Sequence, residues 1–124
     1  MINSRINDGF TQLRKEGFQF NKDTPFFFVA HSLGGVFLQD YILNKDNQDS
    51  LPVKVAGLIL EGSYIVRKNR DLVYSDSNLI PSIMSVSGDM DGLNRVSRMS
   101  ESYYFDMKNS GKGVQTATYL IPGK

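Results

Sequence analysis

Hydrophobic and polar positions alternate along this chain in a pattern that predicts helices and strands in turn. Apolar side chains in residues 1–17 recur at steps of four, four and three, which predicts an amphipathic helix that ends at Gly17. A continuous apolar run at Phe26–Ala30 predicts a buried strand, and helical spacing follows over Leu33–Asn44. The side chains expected to be buried in that second helix are Leu33, Val36, Phe37 and Tyr41.

The rest of the chain repeats this alternation after a polar stretch, Lys45–Ser50, that is typical of a loop. The mixed polar residues Tyr64–Asn78 are typical of a solvated loop or a short helix. Further predicted elements are strands at Val53–Leu60, Ile83–Val86 and Gln115–Ile121, and a helix over Leu93–Asn109. Such alternation predicts an α/β fold, with about four parallel strands, right-handed crossovers and flanking helices in three layers.

One turn in this pattern has the composition of a reactive site. The residues Ala30-His31-Ser32-Leu33-Gly34 join the strand to the helix and match the small-x-Ser-x-Gly form of a nucleophile elbow. Ala30 and Gly34 supply the small positions, and we expect the helix to pass close to the strand at Gly34, with further room at Gly35. The alternative is that Ser32 is simply a turn serine or an N-cap serine before the helix.

A serine nucleophile also needs a base, a group that orients the base, and donors for the oxyanion. Asp91 is the candidate orienting carboxylate because it follows the third predicted strand in a glycine-flanked turn, although Asp89 in the same turn competes with it. The alternative is that both carboxylates are merely solvated. The backbone N–H of Leu33 is the candidate oxyanion donor.

Two further polar residues near the elbow have weaker claims to a role. His31 is the only histidine, but it is adjacent to Ser32 on a sharp turn, so we expect it to pack or form a hydrogen bond beside the elbow instead of acting as the base. Glu61 follows the second predicted strand and is either a solvent-facing strand end or a polar wall of the site. The sequence therefore contains no convincing general base.

Composition limits the possible size, partners and cofactors of this protein. The 124 residues suffice for one small domain, and 40% hydrophobic with 22% charged residues is typical of a soluble globular chain. A net charge of +1 without charged blocks favours no nucleic-acid or membrane-surface partner. The absence of cysteine and the single histidine argue against a metal site, and no cofactor is expected. No signal peptide or transmembrane run is visible, so we expect a soluble chain of unknown compartment.

Three segments together resemble α/β-hydrolases, especially lipase- and esterase-like members. The elbow Val29–Gly35 resembles their His-Ser-Leu-Gly-Gly signature, and Val55–Ser63 is similar to the strand that follows the elbow helix. Ser87–Gly92 is similar to the turn that bears the acid, and the family's pattern selects Asp91 over Asp89. The resemblance implies one partial α/β-hydrolase domain over residues 1–124. Its parts are the elbow strand and helix at 25–44, later strands and the acid turn at 53–92, and the final helix and strand at 93–121.

The resemblance also implies an activity and the parts of the active site and fold that lie outside this chain. It implies hydrolysis of a small-molecule or lipid-like carboxylic ester, with Ser32 as nucleophile, Leu33 as oxyanion donor and Asp91 orienting a histidine outside this chain. It implies that a missing N-terminal half, or a partner, covers the strand edge at Phe26–Ala30, and that this chain alone has negligible turnover. The alternatives are a non-catalytic binding or structural subunit, an inactive truncated fragment, or peptidase, thioesterase or haloperoxidase chemistry.

Overall fold

A computed structural model describes residues 2–75, 79–88 and 115–123, together with Glu101, Tyr104, Met107 and Lys108. The elements in chain order are α1 (Ile2–Lys15), β1 (Pro25–His31), α2 (Leu33–Leu43), α3 (Lys45–Asp49), β2 (Lys54–Glu61), α4 (Arg67–Ser75), β3 (Ser82–Gly88) and β4 (Gln115–Ile121). The strands form one parallel sheet in the order β1-β2-β3-β4. The predicted α/β class, with four parallel strands flanked by helices, is confirmed. Of the helix predicted at Leu93–Asn109, the four described residues are helical and the others lie outside the described part.

The first helix has the amphipathic character that its spacing predicts. Phe10 is buried, and Ile6 and Leu13 pack against the core from the same side of α1. Gly17 then adopts a left-handed φ of 92°, and its N–H donates to the Arg14 carbonyl at 3.1 Å. Because glycine enters this conformation without a steric penalty, the helix ends where the sequence predicts.

The hydrophobic core lies on one face of the sheet. In β1, Phe26, Phe28 and Ala30 pack on the core, whereas Phe27 and Val29 are 60% and 59% exposed. Residues of α1, α2 and α4 all belong to the same core, so these helices cover the same face. The third layer that the sequence predicts is therefore not seen among the described residues.

The opposite face of the sheet is apolar and uncovered by the described elements. Strand register places one row of side chains from each strand on this face, because paired residues of parallel strands point the same way. We call this surface the open face. Its apolar residues are Phe27, Val29, Ile59, Met84, Val86, Ala117 and Tyr119.

The buried side of α2 differs from the prediction. Tyr41 is buried as expected, but Leu33 and Phe37 are 61% and 55% exposed, so these two predictions are wrong. The helix is apolar around most of its circumference, and periodicity alone therefore cannot select the face that packs. The buried residues of α2 are Gly35, Leu38, Gln39, Tyr41, Ile42 and Leu43.

Two polar stretches contain helices. The expected loop at Lys45–Ser50 contains α3, which Asn44 caps by accepting a hydrogen bond from the N–H of Asn47 at 3.2 Å. The loop prediction there is wrong because a side-chain cap offsets the polar composition. Within Tyr64–Asn78 the short-helix alternative is confirmed by α4, whose buried residues are Arg70, Val73 and Tyr74.

Candidate functional site

The turn after β1 is built around a strained backbone at Ser32. This residue has φ 52° and ψ −125°, and it is the one non-glycine residue with positive φ in the part of the chain that the structure describes. Its N–H donates to the Glu61 carbonyl at 2.8 Å, and its carbonyl accepts from the Gly35 N–H at 2.9 Å. Bonds to β2 and to the first turn of α2 thus hold Ser32 in a conformation that non-glycine residues rarely adopt.

The hydroxyl of Ser32 does not cap α2. Although Ser32 occupies the N-cap position of α2, its side chain makes no capping hydrogen bond. Ser32 is therefore an N-cap by position but not by side-chain hydrogen bonding, and the alternative of an ordinary turn serine stays open. The residue is partly exposed at the carboxyl end of β1, the edge at which parallel sheets gather reactive groups.

The backbone N–H of Leu33 lies at the positive end of α2. The N–H groups in the first turn of a helix lack intrahelical acceptors, and the aligned peptide dipoles favour negative charge beside them. Leu33 is the first residue of α2 and directly follows Ser32. The carbonyl oxygen of an acyl group attacked by the Ser32 hydroxyl, which becomes an oxyanion, would therefore lie beside a helix N-terminus.

The close approach of helix and sheet occurs at Gly35. A Cβ atom at Gly35 would lie 2.6 Å from Oγ and 2.9 Å from Cβ of Ser63, a residue only 5% exposed. A Cβ atom at Gly34 would have no neighbour within 4 Å, so the predicted close approach at Gly34 is wrong. Ala30 packs against the core as a small residue beside the turn. Sequence reasoning missed the role of Ser63 because it depends on a contact distant along the chain.

A buried amide fixes α2 against the segment that follows β2. The Nε2 of Gln39 donates to the Tyr64 carbonyl at 2.8 Å, and its Oε1 accepts from the Val66 N–H at 3.1 Å. Gln39 is only 1% exposed, so both bonds are shielded from water. This bridge was also missed, because a single glutamine in an apolar helix gives no pattern in the sequence.

The strand ends place His31 and Glu61 side by side. These two residues are paired in register and both are exposed, at the carboxyl ends of β1 and β2. The exposure of His31 contradicts packing beside the elbow, whereas hydrogen bonding there stays a prediction. Glu61 faces solvent at the end of its strand. Gly62 follows with φ 59° and donates its N–H to the Val86 carbonyl at 2.7 Å, which turns the chain away from β2.

The structure describes neither candidate for the predicted acid. Asp89 and Asp91 lie outside the described residues, and β3 ends at Gly88 immediately before them. The described residues contain no group of three or more histidine, cysteine, aspartate or glutamate side chains placed to hold a metal ion. Among the described helices, none is both long and apolar enough to cross a bilayer.

Comparison with known proteins adds no relative to this picture. No protein family model matches the chain, and a search of curated proteins finds no similar one. The site is therefore defined by its own geometry: a strained serine at the carboxyl end of β1, with no side-chain capping hydrogen bond, beside the N-terminus of α2.

Proposed function

We propose that this chain carries the nucleophile and one oxyanion donor of a serine hydrolase that acts on carboxylic esters. The observation that supports it is the backbone of Ser32, φ 52° and ψ −125°, with a side chain that does not cap α2. A strained conformation persists only where surrounding contacts enforce it, and such residues cluster at functional sites. The resemblance of Val29–Gly35 to the α/β-hydrolase elbow supports the same proposal.

In the proposed reaction the Ser32 Oγ attacks the ester carbonyl carbon while a base accepts the hydroxyl proton. The carbonyl oxygen becomes an oxyanion to which the N–H of Leu33 donates. Collapse of this intermediate expels the alcohol, which receives the proton, and leaves an acyl group on Ser32. Water then releases the carboxylic acid by the same steps. Asp91 would orient a histidine that this chain does not contain.

The test uses a fluorophosphonate probe, which reacts with activated serines. We expect slow labelling of the 124-residue chain at Ser32, located by peptide mass spectrometry, and faster labelling when free imidazole supplies a base. Ser32→Ala should abolish it, whereas Ser75→Ala, which removes an exposed hydroxyl elsewhere, should not. Labelling of Ser32 no faster than that of Ser75, with or without imidazole, would contradict the proposal and favour a non-catalytic subunit.

A further inference from the structure

We propose that Gln39 is a positioning residue for the elbow, whose buried amide selects the rotation of α2 and so the direction of the Leu33 N–H. Gln39 lies about two turns along α2 from Ser32, a rise of roughly 10 Å, so it acts through the helix and not by contact with the reacting atoms. The consequence for reactivity rests on the proposed hydrolase function, whereas the consequence for the rotation of the helix does not.

One side of α2 runs along the chain segment that follows β2. The residues Ser32, Gly35 and Gln39 share this side because steps of three and four residues return to the same face of a helix. Each of them contacts the segment in the order of the chain. Their partners are in turn Glu61, Ser63, and the pair Tyr64 and Val66.

Apolar packing and the glycine contact leave the rotation of α2 undetermined by one residue. The helix is apolar around most of its circumference, so a rotation of about 100°, one residue step, exchanges one apolar side chain for another. The close approach to Ser63 requires a glycine, but Gly34 precedes Gly35 and would fit the same place after such a rotation. Neither feature therefore distinguishes the observed rotation from its neighbour.

The amide of Gln39 does distinguish the two rotations. Gln39 lies four residues after Gly35, whereas the residue four positions after Gly34 is a leucine, which has no hydrogen-bonding group. In the observed rotation, the Gln39 Nε2 donates to the Tyr64 carbonyl at 2.8 Å and its Oε1 accepts from the Val66 N–H at 3.1 Å. The other rotation would remove both bonds from a side chain that is shielded from water, which is a costly change.

The two bonds require a group that both donates and accepts. The Tyr64 carbonyl and the Val66 N–H flank Ile65, and a residue of a parallel strand bonds to its neighbour through such a flanking pair. The side chain of Gln39 therefore supplies the donor and the acceptor that a strand residue would supply through its backbone. Because Ile65 is itself buried in the core, the bridge connects the rotation of α2 to the packing of the core.

The rotation of α2 reaches the elbow through the first turn of the helix. The N–H groups of this turn succeed one another at steps of about 100° around the axis. A change in rotation redirects the Leu33 N–H relative to the ends of β1 and β2, and it disturbs the bond from the Ser32 N–H to the Glu61 carbonyl. An oxyanion donor is effective only when it is aimed at the developing charge, so a rotated α2 lowers reactivity while the hydroxyl remains.

The first test measures hydrogen exchange at the elbow, with the Leu60 amide of β2 as the reference. We expect Gln39→Leu, which removes both bonds at similar size, to speed relative exchange of the Ser32 and Gly35 amides about 10-fold or more. Ile42→Val is the matched control, because it removes one methyl group from a fully buried residue of the same helix and keeps the amide bridge. Equal effects of the two variants on the elbow amides would overturn the proposal.

A second variant tests the chemistry of the bridge by rescue. Gln39→Glu introduces a carboxyl group that has a donor and an acceptor when protonated but only acceptors when ionised. We expect the elbow amides to be protected as in the wild-type chain at low pH, and about 10-fold less or worse once the carboxyl ionises. The wild-type chain at each pH is the reference, since it shares the titration of the neighbouring Asp40 and Lys68. A ratio of protection that does not change with pH would refute the role of the amide.

A measurement on the unmodified chain removes any dependence on the folding of these variants. The Nε2 protons of Gln39 and the amide proton of Ser32 should exchange through one opening event and show the same dependence on urea. Fast exchange at Nε2 while the Ser32 amide stays protected would show that the elbow does not depend on the bridge.

The reactivity test uses the fluorophosphonate probe with free imidazole. We expect Gln39→Leu to lower the labelling rate of Ser32 at saturating probe about 10-fold without changing the half-saturating concentration, and Ile42→Val to change neither. If the wild-type chain is labelled and Gln39→Leu is labelled equally fast, the link from α2 to reactivity is refuted and the proposed function stands. A wild-type chain without labelling at Ser32 would contradict the proposed function, and the exchange experiments would still decide whether Gln39 positions the elbow.

Discussion

Ser32 and Gly35 shape the elbow through the backbone. Ser32 occupies a region of φ/ψ space that is strained for a residue with a side chain, and Gly35 lacks the Cβ that would collide with Ser63. Both features bring the start of α2 close to the ends of β1 and β2. The two effects can be tested separately, because Ser32 is strained in its backbone conformation, whereas Gly35 is limited by the space beside Ser63.

Replacing Ser32 should reveal the strain. We expect Ser32→Gly to be more stable than Ser32→Ala by about 1 kcal/mol, because glycine relieves the positive φ at some cost in backbone entropy while alanine keeps the strain. Both variants lose the hydroxyl, so the comparison isolates the backbone. Urea unfolding gives the two free energies, and equal values would show that the elbow is unstrained.

Replacing the two neighbouring glycines should have opposite outcomes. We expect Gly35→Ala to lose roughly 1–3 kcal/mol of stability, since its Cβ would lie 2.6 Å from the Ser63 Oγ. Gly34→Ala, with open space around the added methyl group, should be neutral or gain up to about 1 kcal/mol. Adding Ser63→Gly to Gly35→Ala should recover part of the loss. Equal stability of the two alanine variants would contradict the close approach at Gly35.

At the scale of elements, ion pairs connect α4 to the segment between β3 and β4. Arg67 binds Glu101 through two hydrogen bonds of 2.9 and 3.0 Å, and Arg70 adds a third of 3.2 Å. The hydrogen bond from Arg67 is the main cause that lowers the pKa of Glu101 to about 2, and Arg70 acts in the same direction. On the neighbouring helix, a hydrogen bond from Lys68 lowers the pKa of Asp40.

The pKa of Glu101 makes stability depend on pH in a definite direction. Its pKa is lower in the folded chain than the ordinary value of 4.5, so its stabilising effect is complete above that value and is lost as the pH falls toward about 2. We expect the stability difference between the wild-type chain and Glu101→Gln to shrink over this interval. Asp71→Asn, which removes an exposed carboxylate from α4, is the control. A difference that stays constant with pH would contradict the ion pairs.

At the scale of the molecule, the open face is the most unusual feature. Parallel sheets are normally covered on both faces, yet Phe27, Val29 and Tyr119 are each more than half exposed. Gly57 lies on this surface, and a Cβ atom there would lie 2.6 Å from the Ser82 carbonyl oxygen and 3.0 Å from the Phe27 ring. Folded monomers rarely expose a contiguous apolar surface of this kind.

The open face should bind a hydrophobic dye in the native state. We expect the dye anilinonaphthalene sulfonate to fluoresce with the folded chain and Met84→Ser to reduce this signal, because Met84 lies at the centre of the face. Phe37→Ser is the control, since Phe37 is exposed on α2 away from the sheet's open face. Fluorimetry with circular dichroism measures signal and fold together. An equal reduction by both variants would contradict a concentrated apolar surface.

Much of this architecture followed from local sequence. Period and composition predicted α1, the four strands and the left-handed end at Gly17, because each depends on neighbours a few residues apart. The strand, turn and helix around Ser32 were predicted in the same way, since they are contiguous in the sequence. The buried side of α2 was not predictable, because an almost wholly apolar helix offers no contrast between its faces.

The sequence by itself determined the α/β class, the alternation of helices with parallel strands, and the identity of the serine in the turn. Only the tertiary structure decided that Gly35 and Ser63 set the helix position, that Leu33 and Phe37 face outward, and that one face of the sheet is uncovered. The reason is physical: element type depends on local periodicity, whereas burial depends on which distant segments meet. The strain at Ser32 belongs to the second group, because bonds to Glu61 and Gly35 enforce it.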